Sequence, residues 1–188
     1  MLAFPDPPTT LADPMVALRL AAERDIPEVL IAHQDDATLA VRLGLERPPS
    51  GAELGRRAEA SAARRAAGEE LWLTVLARDR DPAGDECCGQ IEVGDVDPEH
   101  DRAALTIWIA AGDRGRGLGS AALALAGRWL LTDAGLARVH ILADPRDPAI
   151  RRAAEKAGFR SEGVLGGYTL GARGRADAEV LALVAADL

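Results

Sequence analysis

The chain has 188 residues, 48% hydrophobic and 28% charged, which suits one folded domain with a full core and excludes a disordered chain. A net charge of −8 opposes general nucleic-acid binding, which needs a positive field to release phosphate counterions. No stretch is apolar for long enough to cross a membrane, and residues 1–14 show neither a basic start nor a long apolar run, so no leader peptide is expected and the cytoplasm is the default location.

Aromatic residues make up only 3%, so the core must rest on Leu, Val, Ile and Ala. Cys87 and Cys88 are adjacent, which disfavours a disulfide and lacks metal-ligand spacing. They read as two plain thiols, and no metal is expected.

Residues 1–14, with Pro5, Pro7, Pro8 and Pro14, read as a flexible arm, and residues 15–188 as a single domain. Met15 to Leu20 is a first strand. Asp25-Ile26-Pro27-Glu28 has the form of a capping box, which predicts a helix to about Ala40. Arg47-Pro48-Pro49 interrupts the chain. Ser50-Gly51-Ala52-Glu53 is a second capping box, opening an Ala/Arg/Glu helix to about Ala67 with a solvated face and a Glu53–Arg57 pair. Leu71 to Ala77 is a buried strand, Asp79 to Glu86 a turn, Gly89 to Val96 an alternating strand, residues 97–101 a turn, and Ala103 to Ala110 a third strand of this meander.

The pattern then changes. Gly112 to Gly119 is a Gly/Arg turn, and Ser120 to Thr132 a helix stopped by Gly135. Ala137 to Ala143 is a strand. Asp147 caps a helix begun by Pro148 and ended by Gly158. Phe159 to Leu165 and Ala178 to Ala185 are the closing strands. The order β-α-α-β-β-β-α-β-α-β-β, with a βαβ unit over Ala103 to Ala143, predicts a mixed α/β sheet in a three-layer α-β-α stack.

Strand, glycine turn, helix is a recurrent phosphate site. The helix N-terminus offers unpaired N–H groups and partial positive charge. Gly115, Gly117 and Gly119 let backbone close around an oxygen, and Arg114 and Arg116 add charged donors. A P-loop fails because no Lys precedes Ser120, and a dinucleotide fingerprint fails because Ser120 stands where its last Gly would be. A tight strand-to-helix turn with no ligand is the remaining alternative.

Arg114-Gly115-Arg116-Gly117-Leu118-Gly119 resembles the R/Q-x-x-G-x-G/A signature of the GNAT N-acetyltransferase superfamily. Asp147-Pro148-Ala149-Ile150 followed by Glu155-Lys156-Ala157-Gly158-Phe159 resembles that family's second block, and Trp108-Ile109 and Asp177 fit the branch that acetylates ribosomal-protein N-termini and related amines. The resemblance covers the chain from about Leu18. It implies acetyl-CoA as co-substrate, a primary amine as acceptor, and a homodimer as a family expectation. It further implies a gap between splayed strands in which pantetheine meets main-chain groups of Ile107, Trp108 and Ile109. The amides of Gly115, Arg116, Gly117, Leu118, Gly119 and Ser120 would hold the diphosphate, with Arg114 and Asp147 beside it and the Ile109 N–H as oxyanion donor.

Direct attack by an amine needs no covalent intermediate; proximity and an oxyanion site supply much of the acceleration. Glu92 is the candidate base, against the alternative of a solvated strand residue. His140 reads as a base or a core histidine, and His33 and His100 as helix-surface and turn residues. The tyrosine that many relatives carry on the second-block helix is Ala154 here, and the serine of that block falls on Ile150. Tyr168, the chain's only tyrosine, is therefore the candidate acid, or else a loop residue on the rim. Trp129 reads as core and Trp108 as a cleft residue. These losses leave a second reading, a catalytically weak acyl-CoA-binding sensor.

Overall fold

The computed structural model describes residues 4, 11–79, 85–171 and 174–188. Its strands are β1 (Leu11–Ala12), β2 (Val16–Leu20), β3 (Leu71–Ala77), β4 (Cys87–Asp97), β5 (Arg102–Ile109), β6 (Arg138–Ala143), β7 (Arg160–Gly171) and β8 (Gly174–Val184). Its helices are α1 (Ile26–Asp35), α2 (Leu39–Arg42), α3 (Gly51–Ala66), α4 (Leu118–Thr132) and α5 (Pro148–Lys156). One eight-stranded sheet runs β1-β2-β3-β4-β5-β6-β8-β7, and among the described residues every neighbouring pair is antiparallel except β5–β6.

Alternation along the strands divides the side chains between two faces. Ile91, Val93, Leu105 and Val139 join Leu118, Ala122, Leu123, Ala126, Trp129 and Leu130 of α4 in the main core. The spacing of those α4 residues is one helical stripe, and all are buried. On the opposite face Cys87 and Trp108 pack with Val29, Ala32, Leu39 and Leu54 from α1, α2 and α3. The expected three layers are thus present.

Several boundaries differ from the sequence reading. Within the arm expected to be loose, Leu11–Ala12 pairs with β2 and Phe4 is buried in the main core, so apolar burial fastens it at those points. The capping box at Ser50 forms: Glu53 N–H donates to Ser50 Oγ at 3.3 Å and Ser50 N–H to Glu53 Oε2 at 2.8 Å. The one expected at Asp25 does not. The Asp25 carboxylate is 2% exposed and accepts instead from Arg19 at 2.6 and 2.9 Å, Thr74 Oγ1 at 2.6 Å and Ala22 N–H at 2.9 Å, because a buried charge near an arginine outcompetes a local cap.

The first helix also stops earlier, at Asp35. Asp36 is extended, and its carboxylate accepts from Thr38 N–H and Oγ1 at 2.9 and 2.6 Å, an Asx turn that breaks the helix before α2. The expected turn over Asp79 to Glu86 lies largely outside the described residues. Between the last two expected strands, residues 166–171 and 174–177 are strand, as β7 and β8 extend past their expected ends and pair with each other. Register shifts fall at Ser161/Gly163 and Leu165/Thr169, where Gly163 and Gly167 take positive φ, and Asp177 accepts from Gly167 N–H at 2.8 Å.

Candidate functional site: a glycine turn, a strand gap and a pocket

The parallel pairing of β5 with β6 lasts only from Arg102↔Arg138 to Ala104↔His140, while β5 continues to Ile109 and β6 continues along β8. The two strands therefore part, and the upper half of β5 faces a gap. Ala110 N–H donates to Cys88 O on β4 at 2.9 Å. Main-chain direction alternates along a strand, so Trp108 presents its N–H and C=O to β4, and Ile107 and Ile109 present theirs to the gap. A Cβ at Gly89 would sit 2.3 Å from the Trp108 carbonyl oxygen, which is why β4 has glycine there. The Trp108 main chain is thus committed to the sheet, a correction to its expected place at the gap. Its side chain is buried against α1, α2 and α3.

At the top of β5 the chain turns into α4. Gly115 and Gly117 take φ of +78° and +86°, left-handed conformations open to glycine at little cost. The first helical bond is Ala121 N–H to Gly117 O, and among the described residues no protein acceptor takes the amides of Gly115, Arg116, Gly117, Leu118, Gly119 or Ser120. Six successive N–H groups without a protein acceptor at the positive end of a 15-residue helix are donors of the kind that suit an anion.

The arginines beside it, expected as charged donors to the turn's ligand, are engaged by protein groups. Arg114 donates from Nε to Ile109 O at 2.9 Å and from Nη2 to Asp36 at 2.6 Å. Arg116 pairs with Asp79 at 2.5 Å and with Asp113. Asp36 is held down to about 2 by the Thr38 hydroxyl and by Arg114. Asp147 turns to its own helix, accepting from Ala149 N–H at 2.9 Å and Ile150 N–H at 3.4 Å, with Arg42 at 3.5 Å. Asp36 and Arg42 at the α1–α2 corner thus connect the glycine turn to the start of α5. The Asp-x-Thr pattern was the available signal for that corner.

Across the sheet from α4 lies a pocket of roughly 440 Å³ whose lining includes Glu92, Thr106, Trp108, Trp72, His33 and Arg57. Glu92 is half-buried with its carboxyl raised, first by burial and then by Glu70, and opposed by Arg57. A raised carboxylate facing a pocket is suited to proton transfer. His33, expected on the helix surface, is 6% exposed, lines this pocket, has no partner on Nδ1 among the described residues, and is kept toward its neutral form by burial.

His140 is half-buried where β5 and β6 are still joined, with its charged form disfavoured by burial and then by Arg138 and Arg102. Tyr168, expected in a loop, is in β7, two strands beyond β6, is 56% exposed, and is absent from the lining of this pocket. Cys87 is buried with its thiol pushed up to about 12 by desolvation, so it is a packing residue and not a nucleophile.

The mixed sheet, its parting parallel strands and the glycine turn give an α/β fold. A family model described as an acetyltransferase (GNAT) domain matches residues 16–160. A search of curated protein sequences finds no match. Among solved structures, RimJ of Mycobacterium smegmatis in complex with a CoA-disulfide superposes with a TM-score of 0.80 at 22% identity, covering 92% of this chain and 83% of that one. A Salmonella typhimurium acetyltransferase that modifies the N-terminal serine of ribosomal protein L7/L12 gives 0.79 at 16% identity over 93% and 98% of the two chains. A spermidine N-acetyltransferase chimera from Vibrio cholerae gives 0.73 at 18% over 92% and 96%. The chain belongs to the GNAT family and is an N-acetyltransferase.

Proposed function

We propose that the enzyme moves an acetyl group from acetyl-CoA to a primary amine by direct attack. The observation that carries this reading is the run of six unpartnered amides at residues 115–120, set at a helix N-terminus beside a strand gap. In this reading those amides hold the diphosphate, and pantetheine runs along β5, meeting main-chain groups of Ile107 and Ile109. The acceptor enters from the face of α1 and α3. The thioester is then the acyl donor, and the chain's own groups orient it.

Glu92 takes the proton from the ammonium, directly or through water, and the Ile109 N–H stabilises the developing oxyanion. An α-amine, with a reference pKa near 8, needs only modest help from a base at neutral pH. Arg114 and Arg116 reach the diphosphate by exchanging their carboxylate partners, and Asp147 serves as a cap that sets the start of α5. Tyr168 as general acid has no support from its position, and water serves as proton donor to the thiolate.

Two of the structural neighbours act on protein N-termini or on spermidine by their names, which places both protein and small-molecule amines among the acceptors to test. CoA thiol release over a panel of amines, with isothermal titration of CoA, decides the matter. CoA binding with amine-dependent thiol release is the expected result. CoA binding without release by any amine establishes the sensor reading instead.

A further inference from the structure

The helix spacing predicts a pair between Glu53 and Arg57, and the structure does not form it. Glu53 is engaged by Arg47 at 2.6 and 2.9 Å. Arg57 turns inward to lie half-buried, 4.3 Å above the ring of Trp72. It lines the Glu92 pocket and also the adjoining space of roughly 400 Å³ that extends past Ala22 and Ser61. Apart from the Trp72 ring, it has no hydrogen bond or ion pair among the described residues.

Trp72 and Glu92 are opposed across β3–β4. Opposed residues hold their Cβ atoms about 4.5–5.5 Å apart, so the cation lies about one strand from the carboxylate. Even so, no ion pair joins them. Among the described residues neither the cation nor the anion has a hydrogen-bond or ion-pair partner, and a ligand with both poles satisfies both. The guanidinium presents a planar fork of donors, and its contact with the Trp72 ring holds it at the pocket wall.

We propose that Arg57 is the specificity-determining residue of the acceptor site, bonding a carbonyl or carboxylate oxygen next to the amine that meets Glu92. The acceptor is then an α-amine with a neighbouring C=O, as in a free amino acid or a peptide amino terminus. This rests on the acetyltransferase reading of the pocket. A polyamine fits poorly, because its second ammonium would approach Arg57. The other carboxylate lining these spaces, Asp25, is already engaged by Arg19, Thr74 and the Ala22 amide.

The test compares L-alanine, L-alanyl-L-alanine amide, n-propylamine and spermidine on the whole enzyme. Thiol release gives KM and kcat, and tryptophan fluorescence, with Trp72 and Trp108 in the pocket, gives binding without turnover. The two carbonyl-bearing amines should show KM about 10- to 100-fold below that of propylamine, the range of one hydrogen bond to a charged group. Arg57→Gln should collapse that difference by raising their KM, with the acetyl-CoA KM unchanged as the check on folding. Arg57→Lys should recover L-alanine more than the peptide amide, since it keeps the charge and loses the fork.

Preference for L-alanine assigns the carboxylate, and preference for the peptide amide assigns the peptide carbonyl. Spermidine or propylamine as the better ligand, or an Arg57→Gln effect equal on all four, overturns the proposal. If the wild type fails to bind CoA, the acetyltransferase reading falls alone, and acceptor binding by fluorescence still decides the role of Arg57.

Discussion

Replacing Gly117 by valine separates backbone strain from loss of the anion site. Gly117 has φ of +86°, and its Cβ would lie 3.2 Å from Met15 Cε, the end of a flexible side chain that is 43% exposed. The contact is cheap to relieve, whereas the left-handed conformation is not. A β-branched residue held there costs about 1–3 kcal/mol. At about 2–4 °C per kcal/mol for a chain of this size, the ligand-free Tm should fall by roughly 2–12 °C.

Strain relieved by rotating the turn swings the amides of Leu118 to Ser120 away from a common anion. Losing two bonds to a charged group, each about 1.5–3 kcal/mol, raises the CoA Kd by at least about 100-fold. At a CoA concentration of about 100 times the wild-type Kd, ligand stabilisation is about 2.7 kcal/mol for the wild type and about 0.4 kcal/mol for the variant. Thermal denaturation with and without CoA, paired with isothermal titration, reads both effects. A variant that loses stability yet binds CoA with the wild-type Kd refutes the assignment of these amides.

Three further outcomes follow from the charges at Glu92 and Asp25. Glu92→Gln should lower kcat/KM most below about pH 8, where the amine needs a base, with the wild-type-to-variant ratio shrinking at higher pH; a ratio flat across pH removes Glu92 from proton transfer. Because burial raises the Glu92 carboxyl in the folded state, stability is lost as pH climbs from its ordinary value through the raised one, so Glu92→Gln should raise Tm at pH 7 and not in acid. Asp25 has the opposite sign: burial pushes its carboxyl up, but the bonds from Arg19, Thr74 and Ala22 outweigh that and leave it lowered. Its contribution is present above the ordinary carboxylate range and lost as pH falls through the lowered value. Asp25→Asn removes the buried charge beside Arg19, which keeps Asp85 at 3.2 Å, and should cost about 1.5–3 kcal/mol at neutral pH, with the deficit narrowing in acid. A neutral-pH loss below about 1 kcal/mol in chemical denaturation contradicts that account.

The elements that local chemistry dictates were legible in the residues alone. Ser50 and Glu53 satisfy each other's amides within one turn, the apolar stripe of α4 is set by spacing, and the alternation of β4 fixes Glu92 opposite Ile91. The glycines at 115 and 117 announced a turn with left-handed backbone, and its place between strand and helix announced free amides. All of these are contacts among neighbours in the chain, so the sequence determines them nearly by itself.

What the sequence could not decide were competitions between distant partners. Asp25 is a fair cap until Arg19 and Thr74 arrive from two strands, and Arg57 is a fair partner for Glu53 until Arg47 takes it and Trp72 offers a ring. Arg114 belongs to Asp36, 78 positions away, and Tyr168 lies two strands from β6 because the last hairpin continues past its expected loop. Each outcome depends on which charge or ring the sheet brings within about 4 Å, since electrostatic and hydrogen-bond gains fall away beyond that reach in a partly solvated protein. The fold and the glycine turn could therefore be read from the chain, whereas the pocket's partners were chosen by tertiary packing.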